Sequence, residues 1–277
     1  MEIGFMQGRL CDRIDGKIQA FPWRDWESEF PLAHALDLGL MEWTLDQERL
    51  RENPLMTAAG QTRIRELSAR YGVRVLSLTG DCFMQSPFYK VDGTARDALL
   101  AELCSILDAS EQVGIRYVLI PLVDNGSLQT LEHESVLLEC VLMLRQRLVG
   151  AGMKILFESD FGPARLRDFI ERLPQDAFGI NYDIGNSAAL GFSSIDEIGS
   201  YGQRIDNVHI KDRKLNGTTV PLGTGNADLA AVFSSLRKAG YSGHFILQTA
   251  RAEDNDHSGA LSRYRDMTRT LWKQSGS

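Results

Sequence analysis

Short apolar runs alternate with longer amphipathic stretches along the whole chain. The apolar runs read as strands at roughly Glu2–Met6, Leu40–Thr44, Val73–Leu78, Tyr117–Leu122, Lys154–Glu158, Gly179–Asp183, Asn207–Ile210 and Phe245–Gln248. The stretches between them carry a helical period near Arg24–Asp37, Gln61–Arg70, Thr94–Val113, Glu134–Ala151, Pro163–Arg172, Ile195–Tyr201, Asp228–Ala239 and Ser258–Lys273. Gly72, Gly114, Gly152 and Gly240 each stand just past a periodic stretch, where a left-handed residue closes a helix at little cost. Strict alternation of this kind predicts parallel strands joined by right-handed crossovers. Eight such units close naturally into a (β/α)8 TIM barrel, a single domain over residues 1–277. The alternative, a doubly wound open sheet, lacks a G-x-G-x-x-G after its first strand.

Composition narrows the function classes. With 43% hydrophobic and 24% charged residues, a chain of 277 residues can bury a large core without staples. A net charge of −7 argues against nucleic acid and anionic membrane surfaces as partners. No apolar run reaches 18 residues, and the first residues lack a basic segment followed by an apolar one, so the expectation is cytoplasmic. The four cysteines, Cys11, Cys82, Cys104 and Cys140, have no metal-ligand spacing, and the helical pattern predicts that Cys104 and Cys140 are buried.

Active sites of such barrels lie at the carboxyl ends of the strands. The fifth strand ends on Glu158, the sixth on Asp183, the seventh carries His209 followed by Lys211 and Asp212, and the eighth ends on Gln248. Two carboxylates, an imidazole and an amide oxygen form a mixed set suited to one divalent ion: Mn²⁺, Co²⁺, Mg²⁺ or Zn²⁺. Taken singly, each has a plainer reading, since a strand-end Asp often caps the next helix. Four consecutive strands ending on potential ligands favour a site.

The succession of Glu158, Asp183-Ile184-Gly185-Asn186, His209-Ile210-Lys211-Asp212 and Pro221-Leu222-Gly223-Thr224-Gly225 resembles the xylose isomerase-like TIM-barrel superfamily. Met6-Gln7-Gly8-Arg9-Leu10 is similar to a first-strand end of that group. The resemblance implies a metal-dependent isomerase or epimerase, with Glu158, Asp183 and His209 as metal ligands and a sugar or sugar phosphate as the substrate. It also implies a fourth, glutamate ligand where this chain has Gln248, and often a histidine where it has Asn186. In epimerases of the group, two glutamates work on opposite faces of one carbon. A glutamine cannot act as a base near neutral pH. The metal site is therefore expected with Gln248 as a weaker ligand and Glu158 as the single base, and two-base epimerisation is disfavoured. Lys211 would hydrogen-bond a hydroxyl or a developing enediolate. An inosose-dehydratase-like lyase and a non-catalytic carbohydrate-binding barrel are the alternatives.

Further candidates surround this set. Arg9, Arg213 and Arg251 follow strands one, seven and eight and should converge at the mouth, and Gly223–Asn226 precedes a helix and offers amides to an anion. Glu42, Asp81 and Asn186 are candidates for binding sugar hydroxyls. Phe21-Pro22-Trp23, Trp43 and Cys82-Phe83-Met84 are candidates for an aromatic lid, with Trp26 better placed for helix packing. A homo-oligomer is compatible with all of this.

Overall fold

The computed structural model describes residues 1–14, 16–17 and 19–276. Its eight strands are β1 (Ile3–Met6), β2 (Leu40–Thr44), β3 (Arg74–Thr79), β4 (Tyr117–Leu122), β5 (Lys154–Ser159), β6 (Phe178–Asp183), β7 (Ile205–Ile210) and β8 (His244–Leu247). Each pairs in parallel with the next, and β1 pairs with β8, so the sheet closes into a barrel. The alternation read in the sequence is thus a (β/α)8 barrel, in which none of the described strands is left with an open edge.

The strands are apolar because both faces are covered. Their outward side chains pack against the surrounding helices in one continuous core, which includes Phe5, Trp43, Phe157, Phe178 and Phe245. The barrel interior is plugged at its lower end by a small separate cluster of Met6, Leu40, Leu76 and Ile246. Above that plug the interior turns polar, with Glu42, Asn181, Asn207 and His209 buried.

The helices are α1 (Glu29–Ala35), α2 (Ala58–Tyr71), α3 (Asp81–Gln85), α4 (Gly93–Val113), α5 (Leu131–Leu142), α6 (Arg145–Ala151), α7 (Pro163–Glu171), α8 (Ile184–Leu190), α9 (Ser194–Tyr201), α10 (Leu229–Lys238) and α11 (His257–Gln274). All four glycines expected at helix ends have positive φ, between 65° at Gly152 and 86° at Gly114. The single helix expected over Glu134–Ala151 is two. It breaks between Leu142 and Arg145 with no glycine or proline to signal the break, and α6 packs against β5 while α5 packs on the turn at Phe88–Lys90. Helix α1 starts later than the periodicity suggests, because residues 23–28 form turns before Glu29. Cys104 and Cys140 are half-buried rather than buried. Among the described residues, no helix is long and apolar enough to cross a membrane.

Candidate metal centre and active site

Strand pairing sets the site. Asp183 on β6 stands beside His209 on β7, and Glu158 lies on the neighbouring β5. Alternation along a strand turns Asn181 and Asp183, and likewise Asn207 and His209, to the same interior face. The ligand-capable atoms of Glu158, Asp183 and His209 all lie within 4.8 Å of one another. The structure brings together these three of the four expected ligands.

Each is held by a different device. Asp183 is both a helix cap and a site residue: one oxygen accepts from the Asn186 backbone amide at 2.7 Å, at the start of α8, and the other faces Lys211 Nζ at 3.1 Å. Glu158 accepts from Asn181 Nδ2 at 2.8 Å and from Asn186 Nδ2 at 2.7 Å, one amide per oxygen. His209 is fully buried, with Nε2 bonded to Glu42 at 2.7 Å and Nδ1 3.4 Å from Glu158 and 3.7 Å from Asp183.

Glu42 lies beneath the site. It accepts from Ser77 Oγ at 2.7 Å, from Thr79 Oγ1 and from Asn207 Nδ2 at 3.1 Å, besides His209. The arrangement makes Glu42 the orienting partner of the imidazole, with Nδ1 3.1 Å from Asn181 Nδ2 on the side of the two carboxylates, as in metal sites where a carboxylate holds the ligand histidine. The sequence reading had Glu42 as a sugar binder at the mouth.

The charges are strongly coupled. Burial alone would lower the His209 pKa, but Glu42, Asp183 and Glu158 together push it well above the usual imidazole range. Burial alone would raise Asp183, yet Lys211, His209 and the Asn186 amide hold it well below the usual carboxylate range. Burial likewise acts against Glu42, and His209 with the Thr79 and Ser77 hydroxyls more than offsets it. Three buried carboxylates around one imidazole and one ammonium leave an excess of negative charge that a divalent cation would neutralise. The donor set and its charge fit such an ion.

Above the triad, a cavity of about 640 Å³ is lined by Glu158, Lys211, Gln248, Asp81, Asn186, Arg213 and their neighbours. Lys211 occupies its floor, donating to Asp183 Oδ2 at 3.1 Å, Asn186 Oδ1 at 3.2 Å and Gln248 Oε1 at 3.2 Å. The lysine thus stands between Asp183 and Gln248. It can lie so close to α8 because position 185 is glycine: a Cβ there would meet Lys211 Cγ at 2.6 Å. Gln248 Nε2 donates to Gln19 Oε1 at 3.0 Å, and Gln19 Nε2 donates to Asp81 Oδ2 at 2.6 Å. Gln19, from the long β1 loop, carried no signal in the sequence, and only the folded loop brings it to the cavity wall.

Other expectations are corrected. Of the three arginines, Arg213 lines the cavity, where it donates to Asn186 Oδ1 at 2.8 Å and to the Gly217 carbonyl. Arg9 and Arg251 are buried beside the β1 loop, outside the cavity wall, and Arg251 donates to the carbonyls of Gly8 and Cys11. The Gly223–Asn226 loop does not offer its amides to an anion. Asp212 takes Gly223 N at 3.0 Å, Gly225 N at 2.8 Å and Ala227 N at 3.1 Å, a carboxylate of the chain itself filling the cradle. Of the lid candidates, Phe21 packs against Trp23 and Trp43, and Trp43 against Trp26, so these build a core corner and not a lid, while Met84 lines the cavity.

With the geometry in place, three comparisons are informative. A profile of the xylose isomerase-like TIM barrel family matches residues 30–269. An L-ribulose-5-phosphate 3-epimerase, UlaE, of Shigella boydii is 24% identical over 91% of this chain and 91% of its own. Among solved structures, the IOLI protein with a bound zinc atom superposes with a TM-score of 0.77 at 17% identity, covering 99% of each chain. The D-psicose 3-epimerase of Clostridium cellulolyticum, solved with D-tagatose, gives 0.75 at 12% identity over 98% of this chain and 99% of its own.

Proposed function

The chain belongs to the xylose isomerase-like TIM barrel family, and from that premise we propose that it is an isomerase or epimerase of a sugar or sugar phosphate. The observation that carries this reading is the convergence of Glu158, Asp183 and His209 under one cavity, with Glu42 orienting the imidazole. Glu158, Asp183 and His209 would hold one divalent ion, with Gln248 as a weaker fourth ligand once Lys211 Nζ yields its place. The chemistry such an ion supplies when bound is polarisation of a substrate carbonyl, which acidifies the neighbouring C–H.

The chain's own residues do the rest. Glu158, 8% exposed and facing the cavity, removes the carbon-bound proton. Asn181 and Asn186, bonded to its two oxygens, fix the carboxylate's orientation. Lys211 places a positive charge where oxygen of the substrate gains negative charge. Asn186 and Arg213 in the cavity wall bind hydroxyls, and the Arg213 guanidinium any acidic group of the substrate. A volume of about 640 Å³ lies within the usual range of small-ligand sites.

The test is direct. Protein loaded with Mn²⁺, Co²⁺, Mg²⁺ or Zn²⁺ is analysed for bound metal, then incubated in D2O with L-ribulose 5-phosphate, D-psicose, D-tagatose and D-fructose. Stoichiometric metal, with deuterium entering a carbon beside the carbonyl of at least one sugar, is the expected result. A second reading, a carbohydrate-binding barrel without turnover, is favoured by the Lys211 ammonium bridging Asp183 and Gln248. It gains the field if no metal is retained and a sugar raises the melting temperature without exchanging hydrogen.

A further inference from the structure

Two-base epimerisation needs a second proton-transfer group, and Gln248 cannot be it. The hydrogen bonds that leave Gln248 show where another carboxyl stands. Gln248 Nε2 donates to Gln19 Oε1, and Gln19 Nε2 donates to Asp81 Oδ2, so one side chain separates the β8 amide from a carboxyl on the β3 wall. Asp81 is buried and lines the same cavity as Glu158, from a different wall. Asp183 and Glu42, by contrast, are occupied by capping, Lys211 and His209. We infer that Asp81 is the second acid–base group of the site, returning a proton to the substrate carbon on the face opposite the one from which Glu158 removes it.

The inference rests on the proposed function and deepens it from isomerase or epimerase to epimerase. The step balances: Glu158 gains the proton as the C–H bond breaks, Asp81 loses one as the new C–H bond forms, and exchange with water resets both. The surroundings of Asp81 suit a donor. Burial, with Asp46 and Glu158 adding to it and the Gln19 hydrogen bond and Lys211 opposing, raises its pKa to about 7. The Arg9 guanidinium is a further charge felt from the β1 side. A carboxyl that holds its proton near neutrality is matched to protonating carbon at working pH.

The experiment uses the metal-loaded full chain and the sugar from the panel above that exchanges best. Asp81→Asn keeps the size and the bond to Gln19 but carries no transferable proton. Deuterium should still enter the starting sugar, through Glu158, and the loss of exchange should be much smaller than the loss of epimer. Epimer formation should fall by about 10²-fold or more. Asp81→Glu should recover part of the epimerisation. If Asp81→Asn does not fold, the wild-type pH profile decides. With the donor pKa near 7, epimer formation should decline as pH rises above about 7, and exchange into the starting sugar should not.

The inference is overturned if Asp81→Asn forms epimer at the wild-type rate. It is equally overturned if exchange and epimerisation fall together with a rise in KM, since Asp81 then only binds substrate. If the wild type itself exchanges no substrate hydrogen, it is the proposed function that fails, and this inference with it.

Discussion

Two corners of the same barrel mouth are buried, charged and densely hydrogen-bonded, yet they use charge differently. At the β5–β8 rim, Glu158, Asp183, His209 and Lys211 point at one another, and Glu158 and Lys211 line the cavity. At the β1 corner, Glu29 accepts from Gly8 N at 2.8 Å and Leu10 N at 3.0 Å, while Arg251 donates to the carbonyls of Gly8 and Cys11. There, opposite charges are spent on the backbone of residues 8–11, fixing the loop that carries Gln19 to the cavity. Burial pushes Glu29 up to about 7, against the Gly8 and Leu10 amides and the two arginines, and burial brings Arg9 down to about 9. The lesson is that charge at a barrel mouth is not by itself a site. What separates the corners is whether polar atoms face side chains across a cavity or backbone within a loop.

The comparison can be broken by mutation, starting with the largest effect. Glu158→Gln keeps the side chain's size, and both deuterium exchange and turnover should fall by about 10²–10⁴-fold. Metal content measured alongside separates loss of the base from loss of a ligand. Unchanged exchange in a metal-replete variant would make Lys211 the candidate base.

Glu29→Ala should act on the other corner and on stability alone. It leaves the Gly8 and Leu10 amides without their acceptor and removes a buried negative charge that acts on Arg9 and Arg251, and should cost about 3–5 kcal/mol in denaturant unfolding. Metal affinity of the folded fraction should stay as in the wild type. A matching loss of metal affinity would show that the two corners are one unit.

Glu42→Gln tests the support under the rim. An amide cannot accept from His209, Ser77, Thr79 and Asn207 as the carboxylate does, and Mn²⁺ or Zn²⁺ affinity by equilibrium dialysis should weaken about 10–100-fold. The smallest effect is expected from Gln248→Glu. A new carboxylate beside the cation should tighten metal binding by about tenfold, the gain being limited because Lys211 would also pair with it. No change in affinity would mean that position 248 does not face the ion.

The rim was legible in the sequence because strands are periodic. Once β5, β6 and β7 are placed, Glu158, Asp183 and His209 follow, since a period of two decides which side chains enter the barrel. The corner was not legible. Arg9 and Arg251 follow strands as Arg213 does, and nothing local distinguishes a guanidinium that lines a cavity from one that holds a carbonyl. The Gly223–Asn226 loop misled for the same reason, since its amides were read as available while the carboxylate of Asp212, 11 residues before Gly223, fills them.

The sequence by itself determined the barrel, its strand order and the three converging side chains Glu158, Asp183 and His209, because alternation and chain direction are local properties that closure preserves. Tertiary structure alone decided the partners: Glu42 under His209, Gln19 between Gln248 and Asp81, and Lys211 between Asp183 and Gln248. These pairs join residues as far apart as Glu42 and His209, or Gln19 and Gln248, and each depends on where a loop or a neighbouring strand delivers a side chain. No periodicity along the chain encodes a contact made across the barrel.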